Sequence, residues 1–132
     1  MSLIHIPMSI GELIDKITIL EIKSERIQDA AKVENVNREL GLLEQTWQES
    51  TFSGHDISQQ RQDLKKVNEE LWEIEDNIRL KESAGAFDEE FIELARAVYI
   101  TNDKRAAIKR QINEMLGSTI VEEKSYADYT RK

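Results

Sequence analysis

The feature that most constrains the fold is a run of apolar residues at heptad spacing in the middle of the chain. Intervals of three and four residues separate its members without a fault: Leu64, Val67, Leu71, Ile74 and Ile78. This is the pattern of an α-helix with one apolar seam. Most of the intervening residues are charged or amides, so the opposite face is polar. The stretch from about Ser58 to Ser83 is therefore predicted to be a long amphipathic helix.

The same spacing recurs in other parts of the chain and predicts further helices. Ser9, with an acid three residues later, fits a capping box and predicts a helix that starts there. The apolar register changes near Asp29, which leaves two interpretations of residues 9–49: one bent helix or two separate helices. Asp88 and the two glutamates after it predict the start of a last helix that runs to Gly117.

Both ends of the chain are predicted to be non-helical. Pro7 excludes a regular helix over residues 1–8, whose apolar residues alternate, so an extended arm is expected. Residues 118–132 include Ile120 and Tyr126 and are too apolar to be only a disordered tail, so part of this tail is expected to pack on the bundle. The fold class predicted is thus all-α: one domain over residues 1–132, an antiparallel bundle of three to four long helices with coiled-coil-like seams.

Composition excludes several classes of function. The net charge of −8 disfavours nucleic acids and anionic membranes as partners. No stretch is apolar enough to span a bilayer and no secretory signal is recognisable, so a cytoplasmic location is expected. The chain has no Cys and only two His, and its glycines occur singly. No metal site is therefore predicted, and no cofactor.

Polar residues interrupt the apolar face of the last helix. Thr101 or Asn102, and then Arg105, occupy positions where the apolar stripe should continue, and Tyr99 and Lys109 lie beside them by helical spacing. An unpaired buried guanidinium costs several kcal/mol, so Arg105 needs an anionic partner. The sequence therefore predicts that an acid from another helix faces Arg105.

Two other helices offer residues to complete this polar region. The candidate set, from the first, third and last helices, is Asp15, Lys16, Asn68, Trp72, Arg79, Tyr99, Asn102, Arg105 and Lys109. One interpretation is a structural network that fixes helix register, which is the commoner use of such clusters. The other is a site in which Arg105, Lys109 and Lys16 hold a small anionic ligand against Trp72.

Three classes of function follow from these patterns. The heptad seams favour an interaction, scaffolding or oligomerisation module, either a homo-oligomer or a protein that binds a protein partner. The polar cluster favours a binder or enzyme for a small anionic ligand, phosphorylated or sugar-linked. Its pocket would be lined by Trp72, Tyr99 and Arg105, with Glu75 and Asp103 as acid–base candidates. Acid pairs such as Glu70 with Glu73 leave a third hypothesis, Mg²⁺-dependent nucleotide pyrophosphohydrolase activity, although a solvated charge run is the simpler explanation.

Several segments resemble those of a family of small bacterial helical proteins of unknown function, about 130 residues long. They are SIGELIDKITIL at residues 9–20, LWEIED at 71–76, ARAVY with NDKRA across 95–106, and EEKSY at 122–126. The resemblance implies a bacterial or phage source and a stand-alone domain, with residues 122–126 inside the folded unit. It implies no activity.

Overall fold

The computed structural model describes residues 2–131 and contains four α-helices. They are α1 (Ile10–Arg26), α2 (Ala30–Glu49), α3 (Ser58–Ser83) and α4 (Glu89–Leu116). No strand occurs among the described residues. The all-α helical bundle predicted from the spacing of apolar residues is confirmed.

Side-chain caps set the helix ends, and they decide the question left open over residues 9–49. Ser9 Oγ accepts a hydrogen bond from the Glu12 N–H at 3.2 Å, which starts α1. Asp29 accepts from the N–H groups of Ala31 and Lys32, while Ile27 has extended backbone angles. Residues 27–29 therefore separate two helices, because Asp29 caps a new one. Gly117 ends α4 in the left-handed conformation, with a φ of 66°.

The short helix α1 is the centre of the bundle. It contacts all three other helices, and Ile14, Ile17 and Ile22 on it are fully buried. It runs antiparallel to α4, because Gly11 meets Asn113 and Asp15 meets Arg105. The shared core includes residues from all four helices, namely Ile10, Ile14, Ile17, Trp47, Leu64, Ile112 and Leu116.

Helices α3 and α4 are longer than α1 and extend past its end. The guanidinium of Arg26 lies 3.7 Å from Glu69 and 3.6 Å from Glu73, which places the last turn of α1 beside the middle of α3. Beyond this level, residues 74–98 form a two-helix arm, here called the distal hairpin. No side chain within residues 74–98 is buried. The apolar residues of the distal hairpin are therefore only partly covered.

The arm and the tail contact the bundle in different ways. Residues 2–8 are largely exposed and lie beside a groove between α1 and α2. The tail over residues 118–131 has no regular secondary structure and contacts α4 through ion pairs: Glu122 lies 2.7 Å from Lys109, and Glu123 lies 3.0 Å from Arg110. The prediction that part of the tail packs on the bundle agrees with these contacts.

Candidate functional site at the junction of α1, α3 and α4

A buried carboxylate, Asp15, is the centre of the polar region. Its side chain is completely buried, and Arg105 of α4 binds both of its oxygens, with Nε donating to Oδ1 at 2.9 Å. This bidentate arrangement is the strongest geometry for a guanidinium and a carboxylate. The bond with Asp15 is the main reason that the pKa of Arg105 is raised above its ordinary value. Asp15 is thus the acid that the sequence required opposite Arg105.

Two neutral side chains complete the hydrogen bonding around Asp15. Asn68 of α3 donates its amide group to Asp15 Oδ1 and to Thr18 Oγ1, each at 3.0 Å. Thr18 in turn donates to the main-chain carbonyl oxygen of Asp15 at 2.8 Å. No buried side-chain nitrogen or oxygen among residues 2–131 lacks a partner. The network is therefore self-contained, and it ties three helices together at one point.

A second cluster surrounds Lys109, one turn further along α4. Its ammonium lies 2.7 Å from Glu12 of α1 and 2.7 Å from Glu122 of the tail. Burial lowers the pKa of Lys109, but the bonds with the two glutamates outweigh this effect and the net shift is upward. The same bond with Lys109 lowers the pKa of Glu122. Lys109 therefore holds the first helix, the last helix and the tail together.

Helices α1 and α4 approach most closely at Gly11. A Cβ atom at this position would collide with the carbonyl oxygen of Lys109 and would lie 3.0 Å from Asn113 Oδ1. The Gly11 N–H donates to that same Oδ1 at 2.7 Å. Sequence reasoning missed both Gly11 and Asn113. The one sequence signal for this close contact was a glycine in the first turn of an otherwise strongly apolar helix.

An open groove lies beside the network and includes part of it; we call it the Trp72 groove. Its volume is about 450 Å³. It is lined by Ile19, Ile22, Asn68, Leu71, Trp72, Glu75, Asp76, Arg79, Asn102 and Arg105. Arg79 and Glu75 form an exposed ion pair at 3.4 Å, and the Arg26 guanidinium lies 6.0 Å from the centre of the Trp72 ring. The groove thus brings together six of the candidate residues: Asn68, Trp72, Glu75, Arg79, Asn102 and Arg105.

The other predicted site residues lie elsewhere. Lys16 is exposed and lines the groove between α1 and α2 instead. Tyr99 was expected to line the Trp72 groove but does not. It packs against Tyr129 of the tail, with ring centres 5.1 Å apart. Asp103 lies 3.9 Å from Lys124 and accepts a hydrogen bond from Tyr129, which raises the pKa of that phenol. The structure therefore does not bring Lys16, Tyr99, Asp103 and Lys109 together with Trp72.

Residues 2–131 lack two recognisable features, a cluster of metal ligands and a membrane-spanning helix. No group of three or more His, Asp or Glu side chains in this range is arranged to hold a metal ion. Within the same range, none of the helices has the length and hydropathy needed to cross a membrane.

The fold and the buried network define a class: a small four-helix protein in which one fully satisfied ion network joins the central helix to α3 and α4. The chain belongs to a family of unknown function, DUF6165, whose model matches residues 4–130. No curated protein matches the chain, and no solved structure does. The resemblance to a family of small proteins of unknown function is thus supported.

Proposed function

We propose that this protein is a homo-oligomerisation module in which the distal hairpins of two copies pack side by side and antiparallel. The observation that carries the proposal is a change of burial along one uninterrupted heptad seam. Leu64 and Val67 are 0% and 8% exposed where α1 covers them. Ile74 and Ile78 continue the same seam but are only half-buried in the distal hairpin. Where an apolar seam extends beyond the helix that covers it, it leaves the apolar surface that association with another chain requires.

Exposed apolar residues within the distal hairpin add to this surface. Three of the large exposed side chains of the protein belong to it: Leu80 at 68%, Phe87 at 61% and Ile92 at 48% exposure. The part of α3 that belongs to the distal hairpin is only ~15 Å long. An interface of this length lies near the small end of the range for specific complexes, so a Kd on the order of micromolar is expected.

The distribution of charge favours an antiparallel arrangement. Residues 74–98 carry seven acidic and three basic side chains, whereas the rest of α3 and α4 carries six acidic and seven basic ones. Two hairpins packed tip to tip would bring like charges together. In an antiparallel pair, the two hairpin tips, each with the acids at positions 88–90, point in opposite directions, so these like charges are kept apart.

Sedimentation equilibrium over a wide range of chain concentration tests the proposal. We expect a monomer–dimer equilibrium that the substitution Ala95→Glu shifts at least tenfold toward monomer, because it places a charge on the half-buried apolar face of the hairpin. Ala107→Glu is the matched control, since it adds the same charge at an exposed position of the same helix. A wild-type chain that is monomeric at every concentration, or an equal effect of the two substitutions, would refute the proposal.

A second candidate function is the binding of a small anionic ligand, phosphorylated or sugar-linked, in the Trp72 groove. Its support is the convergence of Trp72, Asn102, Arg79 and Arg105 on one concave surface. Asp15 already neutralises Arg105, so Arg79 is the cation with which a ligand would pair. Thermal shift with nucleotides and sugar phosphates tests this function. We expect a stabilised wild type and an unshifted Arg79→Ala variant, which should still fold because the Arg79 side chain is 79% exposed.

A further inference from the structure

A second groove, on the side of α1 away from the Trp72 groove, has the composition of a ligand site. We infer that it binds an amphiphilic monocarboxylate: an aliphatic chain with one acid group at its end. This site, here called the arm groove, lies between the arm, the start of α1 and the end of α2. Its volume is about 480 Å³. Small-molecule sites typically measure ~300–1,000 Å³ and are mostly apolar with a few polar groups.

The floor of the arm groove is part of the hydrophobic core. Ile10 and Trp47 line it and are 9% and 8% exposed, and Leu13, Leu43 and Phe52 pack against the same core. These side chains are held by α1, α2 and the loop after α2. The surface that an aliphatic chain would contact is therefore formed before any ligand binds.

The polar groups of the arm groove are mostly occupied already. Ser9 accepts from the Glu12 N–H, Thr46 donates to the Leu42 carbonyl oxygen, and Ser50 donates to the Trp47 carbonyl oxygen. These hydroxyls cap and close helix ends. They leave His5 of the arm and two donors held by the helices, Trp47 and Lys16, without a partner in the described chain.

The indole N–H of Trp47 is one of these donors. Trp47 is more than nine-tenths buried, and no side-chain or main-chain acceptor among residues 2–131 receives a hydrogen bond from its N–H. Every fully buried side-chain nitrogen of the described chain has a hydrogen-bond partner. Because the indole nitrogen has none, it must be accessible to solvent. Since an indole only donates, a ligand group that meets this N–H must be an acceptor.

The ammonium of Lys16 is the other donor. No carboxylate of the described chain lies within salt-bridge distance of it, whereas Lys109 on the other side of α1 has two. His5 of the arm also lines the groove, and Glu39 is its one acidic lining residue. A carboxylate accepts hydrogen bonds and carries the charge that complements Lys16, so the acid group of the ligand would lie beside Lys16 with its chain over Leu13 and Leu43.

The arm does not fill the groove itself. Ile4 and Ile6 line its edge, but they are 89% and 65% exposed, so they do not occupy it. A bound aliphatic chain would lie under these two side chains and bury them. The same contact would reduce the mobility of the arm.

Tryptophan fluorescence tests the inference directly. The chain has two tryptophans, so Trp72→Phe leaves Trp47 as the reporter in the arm groove. We expect titration with sodium decanoate, below its micellar concentration, to give a saturable change in Trp47 emission. Decanol and butanoate, which keep only the chain or only the acid group, should each bind at least tenfold more weakly.

Two matched variants separate the acid group from general hydrophobic binding. Lys16→Gln should weaken decanoate binding by up to about fivefold, the upper end of what an exposed ion pair contributes. Lys23→Gln is the control, because Lys23 lies seven residues later on the same helix, outside the groove. Equal binding of decanol, equal effects of the two variants, or no saturable change would each overturn the inference. So would a Trp47 emission that changes with protein concentration but not with decanoate, since a second copy would then fill the groove.

Discussion

Substitution of Arg105 by Met tests the energetic role of the buried network. The change keeps most of the aliphatic volume but removes the guanidinium that binds both oxygens of Asp15. Asp15 is completely buried, so its charge would be left with only the amide of Asn68 as a side-chain donor. Breaking a buried ion pair in this way costs about 3–5 kcal/mol. That is a large share of the ~5–15 kcal/mol that stabilises a typical domain.

Urea unfolding followed by circular dichroism measures this cost. We expect a lower midpoint at unchanged slope, and a fall in Tm of roughly 10–20 °C for a chain of this size. Arg79→Met is the control, because its side chain is 79% exposed and it should change the free energy of unfolding by less than about 0.5 kcal/mol. The double variant Asp15→Leu with Arg105→Met should recover most of the loss, since no uncompensated charge remains. A cost below about 1 kcal/mol for Arg105→Met, or no recovery in the double variant, would refute this account.

Two further predictions concern α1 and the tail. Gly11→Ala should destabilise the protein by about 1–3 kcal/mol, because its Cβ would collide with the Lys109 carbonyl. Gly41→Ala, with nothing within 4 Å of its Cβ, should stabilise the protein by about 0.5–1 kcal/mol. The same urea assay measures both changes. The pKa of Glu122 is lowered from 4.5, so its contact with Lys109 contributes above that pH and is lost as the pH falls through the lower folded-state pKa. Proteolysis within residues 118–131 should therefore accelerate in acid, and Glu122→Gln should remove this pH dependence.

Much of the fold could be predicted from the sequence because its signals are local. Caps at Ser9, Asp29 and Asp88, and the glycine at position 117, each lie within a turn of the helix end that they set. The need for an acid opposite Arg105 was also readable, since a guanidinium interrupts an apolar stripe. The sequence could not show that this acid is Asp15 and not Glu75 or Asp76, because all three lie on helices that flank Arg105.

The separation of Lys16 from the Trp72 groove has a geometric cause. Lys16 follows Asp15 directly, so it points about 100° away around the helix and cannot face the same neighbour. Helical spacing alone would have shown this. The close approach at Gly11 is different in kind, because its contacts with Lys109 and Asn113 join residues about a hundred positions apart. Periodicity within a helix carries no information on such a contact.

The order of the helices along the chain has a consequence for synthesis. The central helix α1 is made first, yet the partners of its buried residues, Arg105 for Asp15 and Asn113 for Gly11, are made about ninety to a hundred residues later. A nascent chain on the ribosome therefore leaves the side of α1 that faces α4 uncovered until α4 has emerged. Contacts this distant in sequence also slow folding, since a long loop must close before they form. During the interval between making α1 and completing its burial, this apolar surface is available for association with other chains.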